Sequence, residues 1–593
     1  SEEAGEVHPL RKRLSRRRVA TGITVIVISA LVVIPQIWQV PAVITGIVRT
    51  EDGRPLAGAV VRARATAVWT ITDGEGRFTL SGFDRTFRVR LTAWQDGYYI
   101  AGTDATPWDS SLAIVLTPYR LALGDHADYG WVRPAVESRS AVGEWVVRRS
   151  MDLAAMVSFD RALLPLAGRL TLGCADCHED IVHEQWGGSA HALGTQNPRF
   201  MSAYDGTDLN GNRSPPTEYV RHRDYGLVPL RPDPAEPYYG PGFRLDFPES
   251  AGNCATCHAP SAALAAPQDT PLNAATGVDA LGVHCDFCHK IVDVRLDPTT
   301  GLPGANMPGV LSIALLRPGP ERQLFFGPYD DVDVGPDTYL PLVTASAACA
   351  ACHSASFWGV PIYESFPEWL ASPYASEGTT CQDCHMRPDG VTDNFAPGRG
   401  GQTRDPDTVA THNFPGAGSV ELLQDTAELS LRAWRDGPGI SVEVTVTNSE
   451  AGHHLPTDSP LRQVLLVVIA TDRDGQALAL TSGPALPDWA GDLAGEPGVY
   501  FAKILEQLWT EVAPTAAYWT QTRIVEDTRI PARETRTSRY AFDAQPARGT
   551  VTVEARLIFR RAYYELLQQK RWETPDIPME HSTTTVPATG PGS

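Results

Sequence analysis

Two stretches, CAACH at Cys349–His353 and CQDCH at Cys381–His385, share one form: cysteine, two residues, cysteine, histidine. The same form recurs as CADCH ending at His178, CATCH ending at His258 and CDFCH ending at His289. The chain has ten cysteines: Cys174, Cys177, Cys254, Cys257, Cys285, Cys288, Cys349, Cys352, Cys381 and Cys384. All of them fall in these motifs. This is the attachment signature of c-type haem, five times over. Cysteines three positions apart lie on one face of a helical turn, where both sulfurs reach the two vinyl groups of one porphyrin. The next residue brings its imidazole under the iron, so His178, His258, His289, His353 and His385 are the expected proximal ligands. Zinc explains paired thiols but not a histidine after every pair. Disulfides between such close cysteines make a poor framework. A thioredoxin-like motif needs one pair in a βαβ setting, not five.

Sixth ligands decide whether such irons only carry electrons. Fifteen histidines less the five proximal ones leave ten. His8 precedes an apolar run and His581 falls in a Thr/Pro-rich end. Distal candidates are His191, His222, His284, His412 and His454, with His453, His126 and His183 as alternatives. Supply exceeds need, so two histidines on every iron are available, and six-coordinate irons offer no place for a substrate.

The remaining text bounds the setting. The chain has 593 residues and a net charge of −20, which excludes a nucleic-acid partner. Gly 51 and Pro 48 point to short elements and long connections. Residues 1–18 form a basic cytoplasmic tail. Residues 19–40, Val19–Val40, run without a charge and are long enough to cross a membrane as a single transmembrane helix. The basic flank predicts a cytoplasmic N-terminus and a periplasmic or otherwise extracytoplasmic bulk; a cleaved signal peptide is the alternative. After it, residues 43–117 alternate apolar and polar between D-G and G-x-G turns, as short antiparallel strands do. Residues 118–420 carry the haem motifs. Residues 421–567 alternate again and predict a second β-sandwich, with 568–593 as a flexible tail. The fold class is therefore multidomain: a transmembrane helix, a small β-sandwich, a loop-rich and helical multihaem domain, and a C-terminal β-sandwich.

Two acidic clusters offer weak calcium sites: Asp205, Asp208, Asn210 and Asn212, and Asp330, Asp331, Asp333 and Asp337. Both lack the spacing of a complete EF-hand, so a polar turn is the favoured reading.

Two resemblances follow from these residues. ITGIVRTEDGRPLAGAVVRARATAVWTITDGEGRFTLSGF (Ile44–Phe83) resembles the carboxypeptidase regulatory-like β-sandwich, a fold that says little about function. CADCHEDIVHEQWGGSAHALG, GNCATCHAP, GVHCDFCHKI, HNFPG and AGHHLPTDSP resemble multihaem c-type cytochromes related to the tetrahaem cytochromes of nitrifiers. That resemblance spans roughly Asp125 to Arg561. It implies that His191, His284, His412 and one of His453 or His454 are distal ligands. It also implies electron transfer between a redox partner protein, or a membrane respiratory or photosynthetic complex, and another carrier. No C-x-x-C-K occurs, which departs from the nitrite-reducing pentahaem enzymes. The alternative is an oxidoreductase acting on a small nitrogen or sulfur compound at one five-coordinate haem.

Overall fold

The alternation in residues 43–117 becomes strands because each places every second side chain inward. Residues described by the structure, a computed structural model, are 43–82, 88–107, 109–119, 124–136, 173–319, 323–333, 335–397, 399–545, 547 and 549–587. The tail 1–18 and the expected span 19–40 lie outside them. Among the described residues no helix is long and apolar enough to cross a membrane. The chain is β-rich with short helices, and it divides into two units.

The first unit holds two sheets. One has the strand Val43–Thr50 between Arg77–Ser81, antiparallel to it, and Leu112–Leu116, parallel to it. The other runs Trp69–Ile71, Val60–Ala63, Val89–Trp94 and Ala101–Ala105, antiparallel throughout. Ile44, Val48, Val61, Phe78, Leu80, Leu91, Ile114 and Leu116 form one core between them. The segments Tyr329–Asp333 and Asp337–Tyr339 belong to this unit. Here the second acidic cluster is ion-paired rather than arranged as a cation loop. Asp330 binds Arg62 at 2.7 Å, and Asp333 binds Arg64 at 3.1 Å and Arg90 at 2.7 Å. Asp331 accepts the Ala65 amide.

The second unit contains all five motifs and the C-terminal sandwich. Its first sheet orders Ala427–Asp436, Gly439–Asn448, Thr535–Asp543 and Leu480–Ser482; its second orders Gly498–Phe501, Gln463–Thr471, Val551–Arg560 and Ile577–Val586. Val442, Val444 and Phe542 from the first meet Val464, Leu466, Val553 and Leu557 from the second in one core. The first hairpin turns at Gly437, whose φ of 56 suits a residue without a Cβ. Gln463–Thr471 is buried on both faces, because Leu465 and Val467 pack under Leu486 and Ala490.

The expected flexible tail, 568–593, is corrected by this sheet. Ile577–Val586 pairs antiparallel with Val551–Phe559, and Ile577, Met579 and Val586 enter the core. His581 sits on that strand, 3.1 Å from Glu554.

The first acidic cluster is a closed turn. Asp208 Oδ1 accepts the amides of Asn210 and Asn212, its Oδ2 accepts Asn212 Nδ2, and Arg571 lies 3.1 Å away. Its oxygens are thus taken by protein donors. Among the described residues, neither cluster forms a metal-binding group.

Candidate functional site

Each motif folds as a single helical turn. The amides of His178, His258, His289 and His353 donate to the carbonyls of Cys174, Cys254, Cys285 and Cys349 at 2.9–3.1 Å. The fifth is the helix Cys381–His385, started by a reciprocal bond pair between Thr380 and Asp383. Every turn therefore presents its two thiols on one face with the histidine just beyond. None of the ten cysteines is in a disulfide.

The turns crowd together. Cys174 interacts with Cys285, Cys257 with Cys352, and Cys349 with Cys381. Cys288 also lies within electrostatic reach of Cys349 and Cys352. The fourth turn is thus adjacent to the second, third and fifth. Small residues permit this: Ala255, Ala350 and Ala351 are buried in one core with Phe287. Gly309 is part of the same fit. It has φ +57, and a Cβ there would stand 2.2 Å from the Thr256 carbonyl and 2.9 Å from Cys257 Sγ. Gly309→Ala is expected to destabilise the protein by about 1–3 kcal/mol through overpacking. A lowered denaturation midpoint checks this, and an unchanged one contradicts it.

The motif histidines are oriented through Nδ1. His178 bonds the Phe395 carbonyl at 2.9 Å, His289 that of Phe326 at 2.6 Å and His385 that of Pro415 at 2.7 Å. His258 engages the backbone of Gly194. His353 instead faces the Asp458 carboxylate at 3.4 Å, with Ser365 Oγ also at 3.4 Å. An Nδ1–H given to an oxygen leaves Nε2 as a lone pair for a metal.

Of the other candidates, His191 faces His353 with ring centres 6.4 Å apart and planes at 77°. His453 faces His385 at 6.3 Å and 17°, and its Nδ1 contacts the His454 carbonyl. Metal–imidazole bonds run about 2.0–2.1 Å; adding the nitrogen-to-centre distance on both sides gives roughly 6.4 Å between two rings sharing one metal. Both pairs match that span. His454 turns to Glu368 instead, with Nδ1 at 3.4 Å from Oε1. His412 lies within electrostatic reach of His289 and His178. His284 caps the third turn, where its Nδ1 accepts the Phe287 amide. Nε2 of His284 and Nδ1 of His412 and His454 are buried with no hydrogen-bond partner among the described residues. His222 is not brought to a motif; it sits exposed on a hairpin, stacked on Tyr225. His183 is exposed and His126 is half-exposed beside Asp128.

Burial holds His191, His258 and His284 down to about 4 and His412 to about 3. Their rings are neutral near pH 7, the form that binds metal. Burial acts the same way on His353, but Asp458 outweighs it and raises that ring.

These residues fit haem. Cys288 has the accessible area of an exposed residue, yet protein surrounds it deeply enough that burial pushes its thiol up to about 12. Paired thiols at helical spacing, motif histidines held through Nδ1 and the buried, unpartnered Nδ1 of His412 fit a thioether-linked haem, whereas His284, accepting an amide at Nδ1, carries its proton on Nε2 in this geometry.

The comparisons bear first on the other unit. Residues 43–109 match the carboxypeptidase regulatory-like domain family. The segment is similar to that domain. Its two-sheet core is the one described above. No curated protein matches the chain. Among solved structures, a penta-haem cytochrome c552 from Thermochromatium tepidum is similar, at 22% identity and a TM-score of 0.48. The likeness covers 70% of this chain and 97% of that one. A cohesin–X-dockerin complex from Acetivibrio cellulolyticus is similar over 13% of this chain and 52% of that one, at 13% identity and a TM-score of 0.11. The fit to haem rests on the chain's own cysteines and histidines, not on these likenesses.

Proposed function

We propose that the chain is a membrane-anchored, extracytoplasmic pentahaem c-type cytochrome that relays electrons between a membrane redox complex and another carrier. One observation carries this: all ten cysteines lie in five helical turns, and each turn's histidine is held by a neighbouring group, four of them through Nδ1. Haem supplies a one-electron store at each turn. The protein's part is to hold, orient and shield. His178, His258, His289, His353 and His385 are the proximal ligands. His191 serves the iron of the fourth turn and His453 that of the fifth, with His284 and His412 as further distal ligands. Crowding of the turns keeps the carriers close. Anchoring rests on Val19–Val40 and its basic flank, which direct the bulk outward.

The second reading is an oxidoreductase acting on a small nitrogen or sulfur compound at one five-coordinate iron. One observation favours it. Near Cys254 the Tyr363 and Tyr518 hydroxyls lie 3.0 Å apart, half-buried, and within electrostatic reach of that cysteine. Phe200 stacks on His258 with ring centres 3.7 Å apart. EPR of the purified protein separates the two. The relay predicts low-spin iron indifferent to nitrite and hydroxylamine. A high-spin component that shifts on adding either would favour the enzyme.

A further inference from the structure

Three motif histidines, His178, His289 and His385, place Nδ1 against a main-chain carbonyl, His258 engages the backbone of Gly194, and of the five only His353 meets a carboxylate among the described residues. Asp458 is fixed for that contact. Its Oδ1 accepts the amides of Glu364 at 3.1 Å and Ser365 at 2.9 Å, which leaves Oδ2 for His353. Its backbone adopts φ 57, in the left-handed region, and its side chain is 12% exposed. The surrounding structure thus holds a non-glycine residue in a conformation it rarely takes. Arg462 also acts on Asp458 electrostatically, so the carboxylate is not an isolated buried charge.

An anionic acceptor draws the Nδ1 proton more strongly than a carbonyl does. The ring gains imidazolate character, becomes a better donor at Nε2, and favours the oxidised metal. Resting on the pentahaem reading, we propose that Asp458 is a positioning residue that lowers the reduction potential of the iron held by His353 and His191, setting it apart from the other four. The location gives this weight, because the fourth turn adjoins the second, third and fifth through Cys352, Cys288 and Cys349. Asp458 thereby sets the height of a step that electrons crossing between those turns must take.

The test uses the full-length holoprotein and the variants Asp458→Asn and Asp458→Ser. Asparagine keeps an oxygen for the Glu364 and Ser365 amides, and serine removes the group. Intact mass first compares covalent porphyrin in each with the wild type. Spectroelectrochemical titration and EPR then follow the irons. The EPR species belonging to the fourth turn is the one converted to high spin by His191→Ala. With porphyrin content unchanged, one midpoint shifts positive in both variants and that same species changes its g values. Glu443→Gln removes a like charge from an exposed ion pair on the sandwich and moves no midpoint. Midpoints and g values equal to wild type, or all five midpoints moving together, overturn the proposal. Loss of one porphyrin in both variants overturns it as well, making Asp458 merely structural. A wild type without porphyrin refutes the underlying pentahaem reading instead.

Discussion

His453→Ala converts one iron of the purified protein from low to high spin, while His454→Ala leaves every iron low-spin. The two residues are adjacent, so charge, local hydrophobicity and strain at the position are nearly the same for both. What differs is direction. His453 faces His385 across 6.3 Å, whereas His454 faces Glu368. The spectra carry a further signature, because the planes of two axial imidazoles govern the g anisotropy of low-spin iron. His385 and His453 are near parallel at 17°, and His191 and His353 near perpendicular at 77°. His453→Ala therefore removes a rhombic low-spin signal, and His191→Ala removes one of large g anisotropy. High-spin iron in His454→Ala, with His453→Ala unchanged, would reverse the assignment.

The second large effect concerns the ion cluster beneath the same loop. Arg529, 4% exposed, binds Glu368, Asp527 and Glu364, and Lys503 joins the cluster at Glu364. Glu368 in turn accepts the His454 amide and the Thr457 hydroxyl, so it shapes the loop that carries His453 and Asp458. Removing one partner of a buried ion pair leaves an uncompensated charge, at a cost of about 3–5 kcal/mol. Arg529→Leu is accordingly expected to lower the denaturation midpoint sharply and to disturb the iron served by His453. Glu368→Leu added to Arg529→Leu recovers only part of the loss. The charge imbalance is relieved, but the loop still lacks its acceptor. A single variant as stable as the wild type would show the cluster to be dispensable.

Much of this arrangement was legible in the residues. Covalent attachment imposes a local rule, so five turns could be read from five pentapeptides without any tertiary information. The two-residue period of Gly439–Asn448 gave a strand for the same reason: its alternation is local. Distal ligands follow no local rule. His191 and His353 come from distant segments, and only packing brings them to one axis. A choice between His453 and His454 depends on which way one backbone turns. His222 stands among the candidates by residue type alone, yet the hairpin that bears it leaves it exposed.

The C-terminal strand was missed because its threonines resemble a polar tail. The available signal was the β-propensity of threonine and valine, together with the spacing of Ile577 and Met579. The acidic clusters were legible as polar, non-EF-hand text, though not their partners. Oxygen-rich text suggested a cation, but the cations supplied were arginines: Arg571 for Asp208, and Arg62, Arg64 and Arg90 for the later cluster.

Intact mass of the purified chain, taken after denaturation and removal of non-covalent material, tests the central claim most directly. The account predicts a polypeptide heavier by five porphyrins, with none of its ten cysteines open to alkylation. A bare polypeptide mass with reactive thiols would contradict it.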